Sequence, residues 1–303
     1  MLPVFPDFEK LSLSHKSDVE SYLQKYPPYS DFNFLSMWSY NTEKDTIISS
    51  LNDNLVVRFR DYITNEPFYS FLGSNKVEET ITSLLTKSVE EKLQPELKMV
   101  PESSLIPIHM LQSSFFITED QNNFDYILSI PEIAALTGDR YHTQRNFVNR
   151  FQKLHGNCTI QELDLMNPLI EGEILSVFYR WEEIKSSSRE DTEHELTAIK
   201  RTLGDAKYFK LISVGIYNGK KLIGFIIADL NHDNNAESHF AKADTSFAGI
   251  YYTLYHYLAK YLHAQGYLYL NNEQDLGIPG LRKSKEQWNP IRYLKKYRIT
   301  AKN

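Results

Sequence analysis

Hydrophobic positions along the chain fall into blocks of helical and of strand period. Val19, Tyr22, Leu23 and Tyr26 recur at the spacing of one helix face, and Pro27-Pro28 stop that helix. The aromatic stretch 32–38 reads as a segment packed beneath a sheet. Residues 55–59 and 68–72 read as neighbouring strands. Asn75 with Glu78 predicts an N-terminal cap, and Val77, Ile81, Leu84 and Leu85 form the stripe behind it. Further strands are expected at 115–118 and 125–130, so this half has the mixture of an α/β or α+β domain.

Residues 141–154 predict a helix joining the two halves. Phe147, Val148, Phe151 and Leu154 share one face, while His142, Arg145 and Asn149 share the opposite one. The domain boundary is placed here, giving domains 1–150 and 151–303. Two amphipathic helices follow at 168–185 and 190–203. Segments 211–217 and 221–228 flank Asn218-Gly219, the strongest hairpin signal in the chain. Residues 238–243 alternate as a third strand, 249–265 predict a helix and 267–271 a fourth strand. That order of elements matches a GNAT acyltransferase domain.

Composition narrows the class. The 303 residues suggest two domains, and the 20 Tyr and 17 Phe read mostly as packing. Cys158 is the lone cysteine, so no intrachain disulfide forms, which suits a reducing compartment. No signal-peptide pattern opens the sequence, and the longest apolar run, near 222–230, is too short to span a bilayer. A cytoplasmic location is expected, with peripheral contact at the inner face of the membrane left open. The net charge of −6 argues against a general nucleic-acid binder. Residues 282–302 nevertheless carry +7 against −13 for the rest. That basic end reads either as a local anion site or as a solvated tail.

Several catalytic motifs are absent. His194-Glu195 begins like a zinc-protease helix, but Ala198 stands where the second His is needed. The nine histidines show no paired ligand spacing, so no metal and no cofactor is expected. No G-x-S-x-G elbow and no G-x-G-x-x-G fingerprint occurs. The positive argument is one of placement. If strands 238–243 and 267–271 are parallel around their crossover helix, their C-terminal ends share one edge. Phe240, Lys242 and Asp244 then face one way, Tyr269 and Asn271 face one way on the next strand, and Glu273 and Asp275 follow. Lys242 and Asp244 as a surface ion pair is the plainer alternative. Beyond them, Gly277 and Gly280 permit unusual backbone, and a helix beginning near Leu281 with Arg282, Lys283 and Lys285 would cradle an anion.

At this point the sequence resembles a known family. Lys242-Ala243-Asp244-Thr245-Ser246, Asn271-x-Glu273-x-Asp275-Leu276-Gly277-x-x-Gly280-Leu281-Arg282-Lys283-x-Lys285 and Lys296-Tyr297 are similar to the phosphatidylglycerol lysyltransferase C-terminal-like family. Arg145-Asn146-x-x-Asn149-x-Phe151 and Asp31-Phe32-Asn33-Phe34 with Trp38 fit as well. The resemblance implies an α/β chain of two tandem GNAT-like domains, each a mixed sheet flanked by helices, similar to the Fem peptidyltransferases. It implies transfer of an amino acid from aminoacyl-tRNA to an acceptor such as an anionic lipid head group. The membrane-embedded region of the lipid-modifying enzymes is missing, so a small amine or hydroxyl acceptor stays open. Gln144 stands where the family often has Lys. Lys242, Asp244, Glu273 and Asp275 are the expected catalytic groups, with Lys242 at the oxyanion and Glu273 or Asp275 at the acceptor or the donor amine. Arg145, Asn146, Asn149, Asn271, Arg282, Lys283 and Lys285 are expected to bind substrate, the cations holding phosphates. Two alternatives are an acyl-CoA-dependent N-acyltransferase and a non-catalytic ligand-binding module.

Overall fold

The computed structural model describes residues 1–185 and 189–302. In chain order its strands begin with β1 (Glu9–Lys10), β2 (Ile47–Leu51), β3 (Asn54–Arg60), β4 (Pro67–Leu72), β5 (Glu96–Pro101), β6 (Phe115–Glu119) and β7 (Asp125–Ser129). They continue with β8 (Cys158–Glu162), β9 (Leu211–Asn218), β10 (Lys221–Leu230), β11 (Asn235–Ala243), β12 (Tyr269–Asn271), β13 (Arg292–Leu294) and β14 (Lys296–Ala301). The α-helices are α1 (Lys16–Leu23), α2 (Phe34–Ser39), α3 (Val77–Glu90), α4 (Ile108–Leu111) and α5 (Ile130–Ala135). They are followed by α6 (His142–Leu154), α7 (Pro168–Lys185), α8 (Arg189–Gly204), α9 (Ile250–Ala264) and α10 (Pro279–Glu286). None of the helices among the described residues is long and apolar enough to cross a membrane.

The chain forms two compact units, each discontinuous in sequence. The first comprises Met1–Asp125, Gln274–Lys283 and Tyr293–Asn303, the second Tyr126–Glu273 and Ser284–Arg292. Each has its own seven-stranded mixed sheet flanked by helices, as expected.

The first sheet runs β1-β2-β3-β4-β5-β14-β6. Its strands are antiparallel except β4 and β5, which are parallel around α3. Ile81, Leu84 and Leu85 of α3 pack on Val56, Tyr69, Phe71, Leu97, Val100 and Ile299. The expected cap at Asn75 is not what starts this helix. Lys76, at φ 42°, occupies the cap position without a side-chain capping hydrogen bond. Asn75 is held by its backbone instead: its N–H donates to Asn54 Oδ1 at 3.0 Å and its carbonyl accepts from Asn54 Nδ2 at 2.7 Å. Gly73, at φ +147°, leaves room for that Asn54 side chain, since a Cβ there would lie 2.1 Å from Asn54 Oδ1. The aromatic segment 32–38 contains a buried helix, α2, capped by Asn33 Oδ1 accepting from the N–H groups of Leu35 and Ser36.

The second sheet runs β13-β7-β12-β11-β10-β9-β8. The expected hairpin forms from β9 and β10, but one residue later than the Asn218-Gly219 signal: Asn218 pairs with Lys221, and the two-residue loop is Gly219-Lys220, with Gly219 at φ +60°. β11 and β12 are parallel around α9, as the placement argument required. Their register is Asn235 with Tyr269, Ala236 with Leu270 and Glu237 with Asn271. β10 and β11 are antiparallel, but Ala228 faces Ser238 while Ile227 faces Phe240, so His239 is an extra, bulged residue. The core gathers Ile212, Val214, Ile226, Leu254, Leu258 and Leu270 beside Val148 and Phe151 of α6. The stripe expected on α6 is one residue too long, because Leu154 is 56% exposed.

Candidate functional site

The polar edge sought at the ends of β11 and β12 exists, but its members separate into distinct groups. Pairing ends at Glu237 and Asn271, where β12 stops, while β11 continues to Ala243. Lys242 therefore lies five residues, roughly 17 Å of strand, beyond the last paired position.

At the point of separation stand Glu237, His239 and Glu273. His239 Nδ1 lies 3.1 Å from Glu273 Oε1 and 3.7 Å from Glu237 Oε1. The His239 and Glu237 side chains are fully buried, while that of Glu273 is 21% exposed. Glu273 takes left-handed backbone, φ 54°, and its N–H donates to Asn271 Oδ1 at 2.8 Å. Asn271, expected to touch substrate, is buried and fixes this turn. Asn272 Oδ1 accepts from Ser238 Oγ at 2.9 Å and from Tyr255 Oη at 2.8 Å. Burial pushes the Tyr255 hydroxyl up to about 12, so it stays a donor. One atom of each of Glu237, His239 and Glu273 lies within 4.8 Å of the others, a set able to hold a metal ion. Pairwise His counting missed it; the signal was Glu237-x-His239, two residues apart on one strand.

Further along β11, Lys242 is nearly buried. Its Nζ lies 2.6 Å from Glu195 Oε1 of α8 and 4.1 Å from the centre of the Trp181 ring of α7. The sequence offered Glu195 only as a dismissed zinc-motif residue and did not single out Trp181, since only the packing of α7 and α8 brings them to this strand. Asp244 is not an ion partner of Lys242. Its Oδ1 accepts from the N–H and Oγ of Ser246, closing the turn after β11.

Asp275 belongs to the first unit and forms no part of this group. It is buried, and Arg282 grips it twice, Nε to Oδ2 at 2.8 Å and Nη2 to Oδ1 at 2.9 Å. Its Oδ1 also accepts the Gly277 N–H at 2.7 Å. Gly277, at φ +74°, is needed here, since a Cβ would meet Asn122 Nδ2 at 2.8 Å. Of the three cations of the expected anion cradle, Arg282 is thus engaged by the chain's own carboxylate.

Other expected substrate contacts are likewise engaged. Arg145 Nη1 donates to the carbonyls of Leu136 and Gly138 at 2.6 and 3.0 Å, fastening the loop before α6. Lys285 is buried and donates to the Asn272 carbonyl. Asn146, Asn149 and Lys283 are exposed. The basic end is not a solvated tail either. Arg298 pairs with Asp120 at 3.2 Å, Lys295 with Glu119 at 2.7 Å, and Lys296 is wholly buried. Lys296 Nζ bonds Asp31 and lies 2.7 Å from Asp125 Oδ1, while Ser30 Oγ donates to Gln274 Oε1 at 2.7 Å. Although burial alone would depress it, the two aspartates hold the Lys296 ammonium pKa well above its ordinary value.

The family model described as phosphatidylglycerol lysyltransferase, C-terminal, matches residues 23–300. Among solved structures, a conserved protein of unknown function from Bacteroides thetaiotaomicron is 24% identical, with a TM-score of 0.86 and 100% of both chains covered. L-PGS from Bacillus licheniformis is 14% identical, with a TM-score of 0.62, covering 100% of this chain and 94% of that one. A tandem GNAT protein from the clavulanic acid biosynthesis pathway is 8% identical, with a TM-score of 0.51, covering 97% of this chain and 98% of that one. At such identities the likeness is one of fold. No curated protein matches the sequence significantly.

Proposed function

The chain belongs to the phosphatidylglycerol lysyltransferase C-terminal family, and from that premise we propose that it moves an amino acid from aminoacyl-tRNA to an acceptor hydroxyl or amine. The observation that carries the reading is the group at the parting of β11 and β12, where a partly exposed carboxylate, Glu273, is oriented by a buried imidazole, His239, 3.1 Å away. The donor is an activated ester, so catalysis requires placement of the acceptor, removal of its proton and support of the tetrahedral oxyanion. Glu273 is the group that orients the acceptor and takes its proton, because Asp275 is committed to Arg282. Lys242, pre-oriented by Glu195 and Trp181, supplies the cation for the oxyanion or for a phosphate of the donor. Lys283, the exposed lysine of its segment, serves the tRNA phosphates. An anionic lipid head group or a small amine is the acceptor.

An acyl-CoA donor fits less well. Such a donor would place its pyrophosphate at the N-terminus of the crossover helix. Here the Phe147 carbonyl comes so close to Gly249, which precedes α9, that a Cβ would lie 2.4 Å from it. The glycine serves helix packing, with Phe147 stacked on Tyr252 at 4.5 Å.

The test is incubation of the purified chain with a pool of charged tRNAs, labelled in the amino acid, plus anionic vesicles or small amines. Label should pass to one acceptor class and stay on tRNA with Glu273→Gln. Consumption of acetyl-CoA without loss of label from tRNA would replace this reading with the acyl-CoA one. Neither reaction would leave a binding module.

A further inference from the structure

Glu237, His239 and Glu273 have a second property that transfer chemistry does not require. Their side chains converge from one strand, β11, and from the turn that follows β12. Glu237 and His239 stand two residues apart on β11, and the bulged His239 holds its Nδ1 3.7 Å from Glu237 Oε1. Glu273 follows Asn271, the register partner of Glu237, by two residues. Its turn is pinned at both backbone groups, with the N–H on Asn271 Oδ1 and the carbonyl accepting the Tyr126 N–H at 3.2 Å. The two edges from His239 Nδ1, 3.1 and 3.7 Å, bracket the roughly 3.4 Å between ligands of a tetrahedral centre with bonds of about 2.1 Å. The third edge is within 4.8 Å. With the imidazole neutral, the two carboxylates carry a charge that one dication balances. One nitrogen and two oxygens suit zinc, or more weakly manganese, and suit calcium poorly.

We propose that Glu237, His239 and Glu273 form a binding site for a divalent transition-metal cation, with water or a ligand completing the coordination. Ligation uses the Nδ1 lone pair, so in the metal-bound form the imidazole carries its proton on Nε2. Binding goes beyond the transfer reaction and is measured without it. The full chain is stripped with a chelator, dialysed and titrated calorimetrically with zinc chloride and with manganese chloride, and retained metal is counted after gel filtration. One zinc per chain is expected, with manganese weaker and zinc raising the melting temperature. Glu273→Gln and His239→Asn should each weaken zinc binding at least tenfold, while His263→Asn and Cys158→Ser leave it unchanged. His239 is buried, so circular dichroism accompanies each variant, and the more exposed Glu273→Gln decides the matter if His239→Asn misfolds. Absence of retained zinc overturns the proposal. So does equal retention by the triple variant Glu237→Gln, His239→Asn, Glu273→Gln.

Discussion

Both units place a crossover helix between two parallel strands, yet they fill those strands differently. In the first, β4 and β5 present Tyr69, Phe71, Leu97 and Val100 to the core. In the second, β11 carries Glu237, Ser238, His239 and Lys242, β12 carries Asn271, and Glu273 follows. The first unit has its own charged cluster, but it is closed: Lys296 between Asp31 and Asp125, none of them reached by solvent. The cluster of the second unit keeps one carboxylate partly exposed. One architecture therefore holds charge in two ways. A sealed ion triad specifies how chain segments meet, and a partly open one is able to meet a ligand.

The contrast breaks most sharply at the two lysines. Lys296→Ala strands two buried aspartates and should cost the first unit about 3–5 kcal/mol, read as a lowered denaturation midpoint. A variant as stable as the parent would show the triad to be no structural clasp. Next in size, Glu273→Gln should lower transfer about 100-fold, near 2.7 kcal/mol in the barrier, with melting little changed. A loss of stability with unaltered turnover would reverse the roles assigned to the two clusters.

Two smaller effects sharpen the comparison. Lys285→Ala leaves the buried Asn272 carbonyl short of a donor and should cost about 1–3 kcal/mol. Lys283→Ala should stay within roughly 0.5 kcal/mol in stability while weakening tRNA binding at low salt. Equal behaviour of the two would mean the packing around Asn272 contributes nothing. The smallest effect is a pH dependence. Burial holds the His256 imidazole below its ordinary 6.5, and its Nδ1 lies 2.9 Å from the Ile133 carbonyl. The neutral form is favoured in the fold, so its stabilisation is complete above 6.5 and fades as pH falls through the lowered value. Melting of the parent between pH 7 and 5 should therefore drop more steeply than that of His256→Gln.

Much of this fold was legible because its signals are local. Gly219 supplies the left-handed residue of a two-residue hairpin loop, and Ile250, Leu254, Leu258 and Leu262 repeat at the step of one helix face. The cationic end reads two ways in the sequence because charge says nothing about partners. Tyr297 and Ile299 alternate inward as a strand should, yet eight cations over 282–302 read as an anion site or a tail. Asp275 was grouped with Glu273 on proximity in sequence, but a carboxylate seven residues before an arginine had a partner of its own. The bulge at His239 left no sequence signal, since it depends on how β10 meets β11. Lys242 was placed on its strand by period, whereas its contacts with Glu195 and Trp181 depend on tertiary packing.

The place of β14 has a consequence for the order of synthesis. It lies between β5 and β6 and pairs Lys296 with Pro101 and Tyr297 with Glu119. As the chain leaves the ribosome, β1 to β5 can assemble into a ribbon, but β6 has no neighbour within it. All of the second unit must be translated before the strand that joins β5 to β6 exists. The second unit, whose main segment is continuous, is then positioned to fold while the first still waits with an open edge at β5, exposed to chaperones or to another nascent chain.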